Sequence, residues 1–129
     1  SDLSRINLTD NKDQIVNKIK KAKTDSGIMP QDEKNLSKRP EIENLLGIYS
    51  SLSDQSLISS INEFNGKDFS DFKNKLADLL VEKISPISRE INKLNKDNAY
   101  IDDILKEGAK KANEIARRKI EEMKKIIGF

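Results

Sequence analysis

The stretch DFSDFKNKLADLLVEKISPISREINKLN, residues 68–95, decides the fold. Its apolar positions Phe69, Phe72, Leu76, Leu79, Leu80, Ile84, Ile87, Ile91 and Leu94 recur every three or four residues. That spacing lines one side of a helix, and no strand alternation competes with it. Pro86 sits inside the run. It cannot donate to the carbonyl of Glu82, and its ring crowds that carbonyl. Because the apolar stripe continues past Pro86, the expectation is a kinked helix rather than a broken one.

Helical spacing extends in both directions. After the turn signal Asp97-Asn98, a fifth helix is expected over about 99–127, with Ile101, Ile104, Leu105, Ala112, Ala116, Ile120, Met123 and Ile127 as its stripe. Ala109, Ala112 and Ala116 are small enough for a neighbouring helix to approach closely. Gly108 costs about 1 kcal/mol relative to Ala inside a helix, so it suggests a packing reason. Gly128 is placed as a C-cap. Helices four and five together predict a long antiparallel hairpin.

Toward the N-terminus, Gly66 ends a short helix over 57–64, which uses Leu57, Ile58, Ile61 and Phe64. Pro40 fits the first turn of a helix over 40–52, whose buried stripe is Ile42, Leu45, Leu46, Tyr49 and Leu52. A first helix is expected over 11–23, with Ile15, Val16, Ile19 and Ala22 on one face and an N-cap at Thr9 or Asp10. Lys18, Lys20, Lys21 and Lys23 crowd its end, where cations suit the helix dipole. Between these helices lies the least regular stretch, 24–39, with Gly27, Pro30 and mixed charge. A loop that long in a compact domain is usually functional or mobile. The reading is an all-α domain of about five helices.

Composition limits the chemistry. The 129 residues carry 24 Lys+Arg against 22 Asp+Glu and contain no Cys, His or Trp. Disulfide scaffolds, zinc or haem ligation through Cys or His, and nucleophile–histidine catalysis are therefore excluded for this segment. No apolar run approaches the roughly 20 residues of a membrane span. Residues 1–25 hold six basic and four acidic groups, 26–105 hold ten and fourteen, and 106–129 hold eight and four. The basic excess thus sits at the two ends, and it is mild. Asp102-Asp103 and Glu121-Glu122 look like paired carboxylates, but helical neighbours in sequence diverge by about 100° and cannot converge on one substrate. Lys106, Lys110, Lys111, Arg117, Arg118 and Lys119 could contact phosphates. A basic amphipathic helix over 117–129 could instead lie on a membrane or partner helix, but Glu121 and Glu122 interrupt it.

Five local strings go beyond periodicity. They are KIKKAKTDS at 18–26; Asn44-Leu45-Leu46 with Ile48-Tyr49-Ser50; Gly66-Lys67-Asp68-Phe69 through Phe72-Lys73; Val81-Glu82 with Pro86-Ile87; and EGAKKA at 107–112. In this order and spacing the chain resembles the C-terminal third of bacterial-type tryptophanyl-tRNA synthetases, class I ligases that activate tryptophan with ATP and transfer it to tRNA. The resemblance covers essentially the whole chain.

The resemblance implies that the chain is a fragment. Ser1 would be the last residue of the family's Lys-Met-Ser-Lys-Ser loop, which contacts ATP, and residues 1–10 would join that loop to a helical domain over 11–129. The Rossmann domain, the tryptophan pocket and the homodimer interface would lie upstream. ATP and magnesium would belong to that parent, a cytoplasmic homodimer. The fragment would be an inactive monomer with no membrane role, and would support the anticodon end of tRNA. Anticodon bases are read by stacking and edge hydrogen bonds as well as by charge. Asp32, Lys34 and Arg39 in the irregular loop, with Lys110, Lys111, Arg117 and Arg118 near the C-terminus, are the expected tRNA contacts. Asn44 could be a cap or a buried hydrogen bond rather than a substrate contact. Leu3, Ile6 and Leu8 could be contacts orphaned from the missing domain. The alternatives are a free-standing helical module for a protein partner, or a general basic RNA binder.

Overall fold

A computed structural model of the chain describes residues 2–34 and 36–128. It contains five α-helices: α1 (Lys12–Lys21), α2 (Pro40–Leu52), α3 (Leu57–Phe64), α4 (Phe69–Leu94) and α5 (Asn98–Ile127). Short 3-10 turns lie at Asp2–Ser4 and Leu36–Lys38, and no strand occurs among the described residues. The all-α expectation holds. α2 and α3 have the bounds expected of them, and α4 runs unbroken through Pro86. The expected Ser1 contact lies outside the described residues.

The chain divides into two compact units, the first reaching Arg89 and the second starting at Glu90. In the first unit, Ile15 and Ile19 of α1, Ile42, Leu45, Leu46 and Tyr49 of α2, Ile61 and Phe64 of α3, and Phe72, Leu76, Ala77, Leu80 and Ile84 of α4 form one buried cluster. Met29 and Leu36 of the irregular stretch join it. Three rings stack edge to face at its centre. Phe64 lies 4.9 Å from both Tyr49 and Phe72, and Tyr49 lies 6.1 Å from Phe72. That geometry sets a ring's positive edge against its neighbour's negative face. The Tyr49 hydroxyl donates to Glu63, which Lys75 also engages.

The start of α1 differs from expectation. Asn11, not Thr9 or Asp10, is the N-cap. The Gln14 amide donates to Asn11 Oδ1 at 2.9 Å, and the Asn11 amide donates to Gln14 Oε1 at 2.8 Å. This reciprocal pair satisfies two backbone donors that the helix itself cannot. Asp10 is drawn away by Lys18 at 2.8 Å, and both side chains are buried. Lys18 therefore is not one of the solvated lysines suited to the helix dipole. The carbonyl of Ala22, at the end of α1, instead accepts from Lys73 Nζ at 2.6 Å. Burial holds the Lys73 ammonium below its usual pKa.

The pair makes stability pH-dependent. Burial pushes the Asp10 carboxyl up, but the hydrogen bonds from Lys18 and Asn7 outweigh it and hold it below the ordinary carboxylate value. The hydrogen bond to Asp10 raises Lys18, against the effect of burial. A depressed carboxylate contributes stability above its unfolded pKa of about 3.9, and loses it as pH falls through the lower folded value. A raised lysine loses its contribution only as pH rises through its folded value. In Lys18→Met, burial opposes the Asp10 charge with no cation to offset it. We therefore expect the urea midpoint of Lys18→Met to be lower than wild type at neutral pH, with the gap narrowing at about pH 3. A gap that stays constant with pH would contradict this pairing.

In the second unit, Asp97 caps α5 by accepting from the Tyr100 amide at 3.0 Å. Gly128, at φ 84°, closes the helix in the left-handed conformation expected of it. Burial is where α5 departs from its reading. No described residue of α5 is buried, and Ile104, Leu105, Ile115, Ile120 and Met123 are all exposed. A Cβ placed on Gly108 would meet nothing within 4 Å, so no packing contact among the described residues explains that glycine.

Candidate nucleic-acid interface

The irregular stretch is tied down at its base. Arg39 donates from Nε to Asp25 Oδ2 at 2.7 Å, and from Nη2 to Asp25 Oδ1 and the Ile28 carbonyl, both at 2.8 Å. Its guanidinium lies 5.7 Å from the Phe69 ring centre. A planar fork matches a carboxylate with two bonds at once, which a lysine cannot do. The hydrogen bond from Arg39, with one from the Gly27 amide, holds the Asp25 carboxyl below its usual value. Met29 is fully buried and Leu36 nearly so. The loop is therefore pinned by one ion pair and two apolar side chains.

Its tip is left open. Gln31, Asp32, Glu33 and Lys34 are exposed and border a groove of about 290 Å³ whose other side is Ile58, Ile61 and Asn62 of α3. Asp32 Oδ1 accepts the Lys34 amide at 3.0 Å, so the tip is a turn held by its own side chain. Of the three loop residues expected to contact RNA, Asp32 and Lys34 share this rim, whereas Arg39 is committed to the loop's base. Ile58, assigned to a buried stripe by its spacing, is 56% exposed and lies in the groove. The groove combines an apolar patch with amide, carboxylate and ammonium groups. Gln31, Glu33 and Asn62 were not picked out from the sequence. Only their position around Ile58 distinguishes them from other exposed polar residues.

α5 carries a second candidate surface. Lys106, Lys110, Arg117 and Arg118 surround an open concavity with Asn113 and Glu114. Lys106, Lys110 and Arg117 stand four and seven residues apart, a spacing that keeps them on one helical face. Lys111 belongs elsewhere, because its ammonium meets Glu107 at 2.7 Å. The four residues named from the sequence thus divide into three that share this concavity and one engaged by an acid.

Asn44 is exposed on α2, so it is neither a cap nor a buried hydrogen bond. It lies in a groove of about 390 Å³ that also contains Leu3, Arg5, Ile6, Lys23 and Ile48. Leu3 is exposed and Ile6 half-buried, so apolar surface borders this groove, and Leu8 is exposed as well. Among the described residues no cluster of acids could hold a metal ion. No helix among them is long and apolar enough to cross a membrane.

No family model matches the chain. Individual relatives do, along its whole length. It is 50% identical over 129 residues to the tryptophan–tRNA ligase of Rhizobium meliloti (strain 1021), and 47% identical to that of Mesorhizobium japonicum. Identity to the Caulobacter vibrioides tryptophan–tRNA ligase is 42%. The chain spans 36% of the length of the first two proteins and 38% of the third.

Proposed function

Because the chain belongs to the tryptophan–tRNA ligase family, as a segment a little over a third of its members' length, we propose that it is the tRNA-supporting helical part of such an enzyme. The parent would activate tryptophan with ATP and load it onto tRNA. ATP and magnesium would be held by the remaining two thirds of the protein, which would include a Rossmann domain and a homodimer interface. The fragment by itself would be a monomer without ligase activity, and the parent would work in the cytoplasm.

The observation that carries this reading is the 50% identity over every residue of the chain. Two surfaces then divide the work. The groove between the tip 31–34 and α3 would receive an unstacked base, with Asp32 on its rim as a hydrogen-bond acceptor and Lys34 as a donor. The concavity of Lys106, Lys110, Arg117 and Arg118 suits phosphates, which position RNA without reading its sequence. Arg39 would act by holding the loop, and Lys111 would be a lesser contact.

The test is binding of this chain to a tryptophan tRNA transcript, beside one with an altered anticodon, at low and at physiological salt. Preference for the native anticodon that survives the higher salt is the expected result, because base contacts release few counterions. Equal, salt-sensitive binding would reduce the segment to a docking surface for phosphates. No binding at either salt would remove tRNA recognition by this segment alone. The exposed apolar side of α5 favours a second reading, a helical module for a protein partner, and absence of tRNA binding would bring it forward.

A further inference from the structure

Residues 2–10 lead into α1 without regular structure beyond one 3-10 turn, and the Lys18 side chain ties both ends of this segment to α1. The Lys18 ammonium lies 2.8 Å from Asp10 Oδ2 and 3.1 Å from Asp2 Oδ2. Asn7 links the two acids. Its side-chain nitrogen donates to Asp2 Oδ1 at 2.9 Å and to Asp10 Oδ1 at 3.3 Å, and its backbone amide donates to Asp10 Oδ2 at 2.8 Å. The Asp10 amide donates back to the Asn7 carbonyl at 3.0 Å.

Burial gives this arrangement its direction. Lys18 and Asp10 are each only 5% exposed, whereas Asp2 is 65% exposed. A buried ammonium is an all-donor group and must keep its acceptors. Lys18 therefore cannot turn outward without leaving Asp10 buried and unpaired. Asp2, at the rim, is the partner that can be gained or lost. Ile6, packed against the core, holds the middle of the segment. Moving residue 2 thus breaks its ion pair with Lys18 and its hydrogen bond from Asn7, or displaces α1, whose Ile15 and Ile19 belong to the same core.

We propose that Lys18 is a positioning residue: by seating Asp2 against α1 it sets the path of the chain just after the loop that contacts ATP in the full-length ligase. The ATP half of this statement rests on the ligase reading above. The seat on α1 stands on the geometry alone. The Lys18 ammonium is engaged by Asp10 and Asp2. It acts through Asp2, one residue from Ser1, the position that the sequence resemblance aligns with the end of that loop.

Asp2→Asn tests the proposal without disturbing the buried Lys18–Asp10 pair. Arg5 lies between Asp2 and Asn7, so trypsin cleavage after Arg5 in the 129-residue chain reports how firmly the segment is held. Asp2→Asn is expected to speed that cleavage about two- to fivefold, the range open to an ion pair with one exposed partner. Cleavage after Lys20, inside α1, is expected not to change. In the full-length ligase the same variant is expected to raise KM for ATP by a similar factor, with KM for tryptophan unaltered. Unchanged cleavage after Arg5 would overturn the seat. A loosened segment with unaltered KM for ATP, in an active ligase, would overturn the positioning role. A full-length protein without ligase activity would overturn the ligase reading and the ATP half with it, while the cleavage comparison would still decide the seat.

Discussion

Phe72→Ala is expected to destabilise the first unit by about 3–5 kcal/mol in urea unfolding at neutral pH. Phe72 is fully buried, and its ring meets Phe64 at 4.9 Å and Tyr49 at 6.1 Å. Alanine would remove the apolar surface and both edge-to-face contacts, and the surrounding helices could fill the void only partly. A domain of this size has a total stability of about 5–15 kcal/mol, so the loss is a large share of it. Phe72→Leu keeps most of the buried surface and should cost less. Ile115→Ala on α5, where the side chain is 67% exposed, is expected to stay within about 0.5 kcal/mol of wild type. Similar losses for Phe72→Ala and Ile115→Ala would mean that the core is not where these helices place it.

The second large effect is on RNA. The double variant Lys110→Gln and Arg117→Gln is expected to weaken binding to a tryptophan tRNA transcript about tenfold or more at low salt. Two lost phosphate contacts should also flatten the plot of log affinity against log salt by about 1.4, the value for single-stranded RNA. Both residues border the same concavity on α5. Lys111→Gln should do less, because Glu107 already engages that ammonium at 2.7 Å. If Lys111→Gln equalled the double variant, charge alone rather than this face would account for binding. An unaltered salt slope in the double variant would remove α5 from the interface.

These two expectations draw on different depths of the sequence. Phe72 belongs to an apolar stripe that is plain in the run 68–95, so its burial could be anticipated. Separating Lys110 from Lys111 required knowing which ammonium Glu107 takes, and adjacent lysines look alike in a string of letters. The loop 24–39 makes the same point. Its length points to mobility or function, and the sequence groups Asp32, Lys34 and Arg39 together as expected contacts. Arg39 proved to be bonded to Asp25, fourteen residues earlier, while Asp32 and Lys34 were left at the open rim. Ile58 kept the helical period of α3 but had nothing to cover it.

By itself the sequence determined the helical class, the bounds of α2 and α3, the passage of α4 through Pro86 and the left-handed cap at Gly128. It also carried the likeness to tryptophan–tRNA ligases, because short strings in fixed order survive without reference to any contact. All of these are local properties, set by residues within a turn or two of one another. Tertiary structure alone decided that Lys18 is buried rather than solvated, and which cations remain open to a partner. Each of those outcomes is a competition among polar groups for a limited set of partners. Groups distant along the chain enter it only once folding brings them together and removes the water that would otherwise satisfy them.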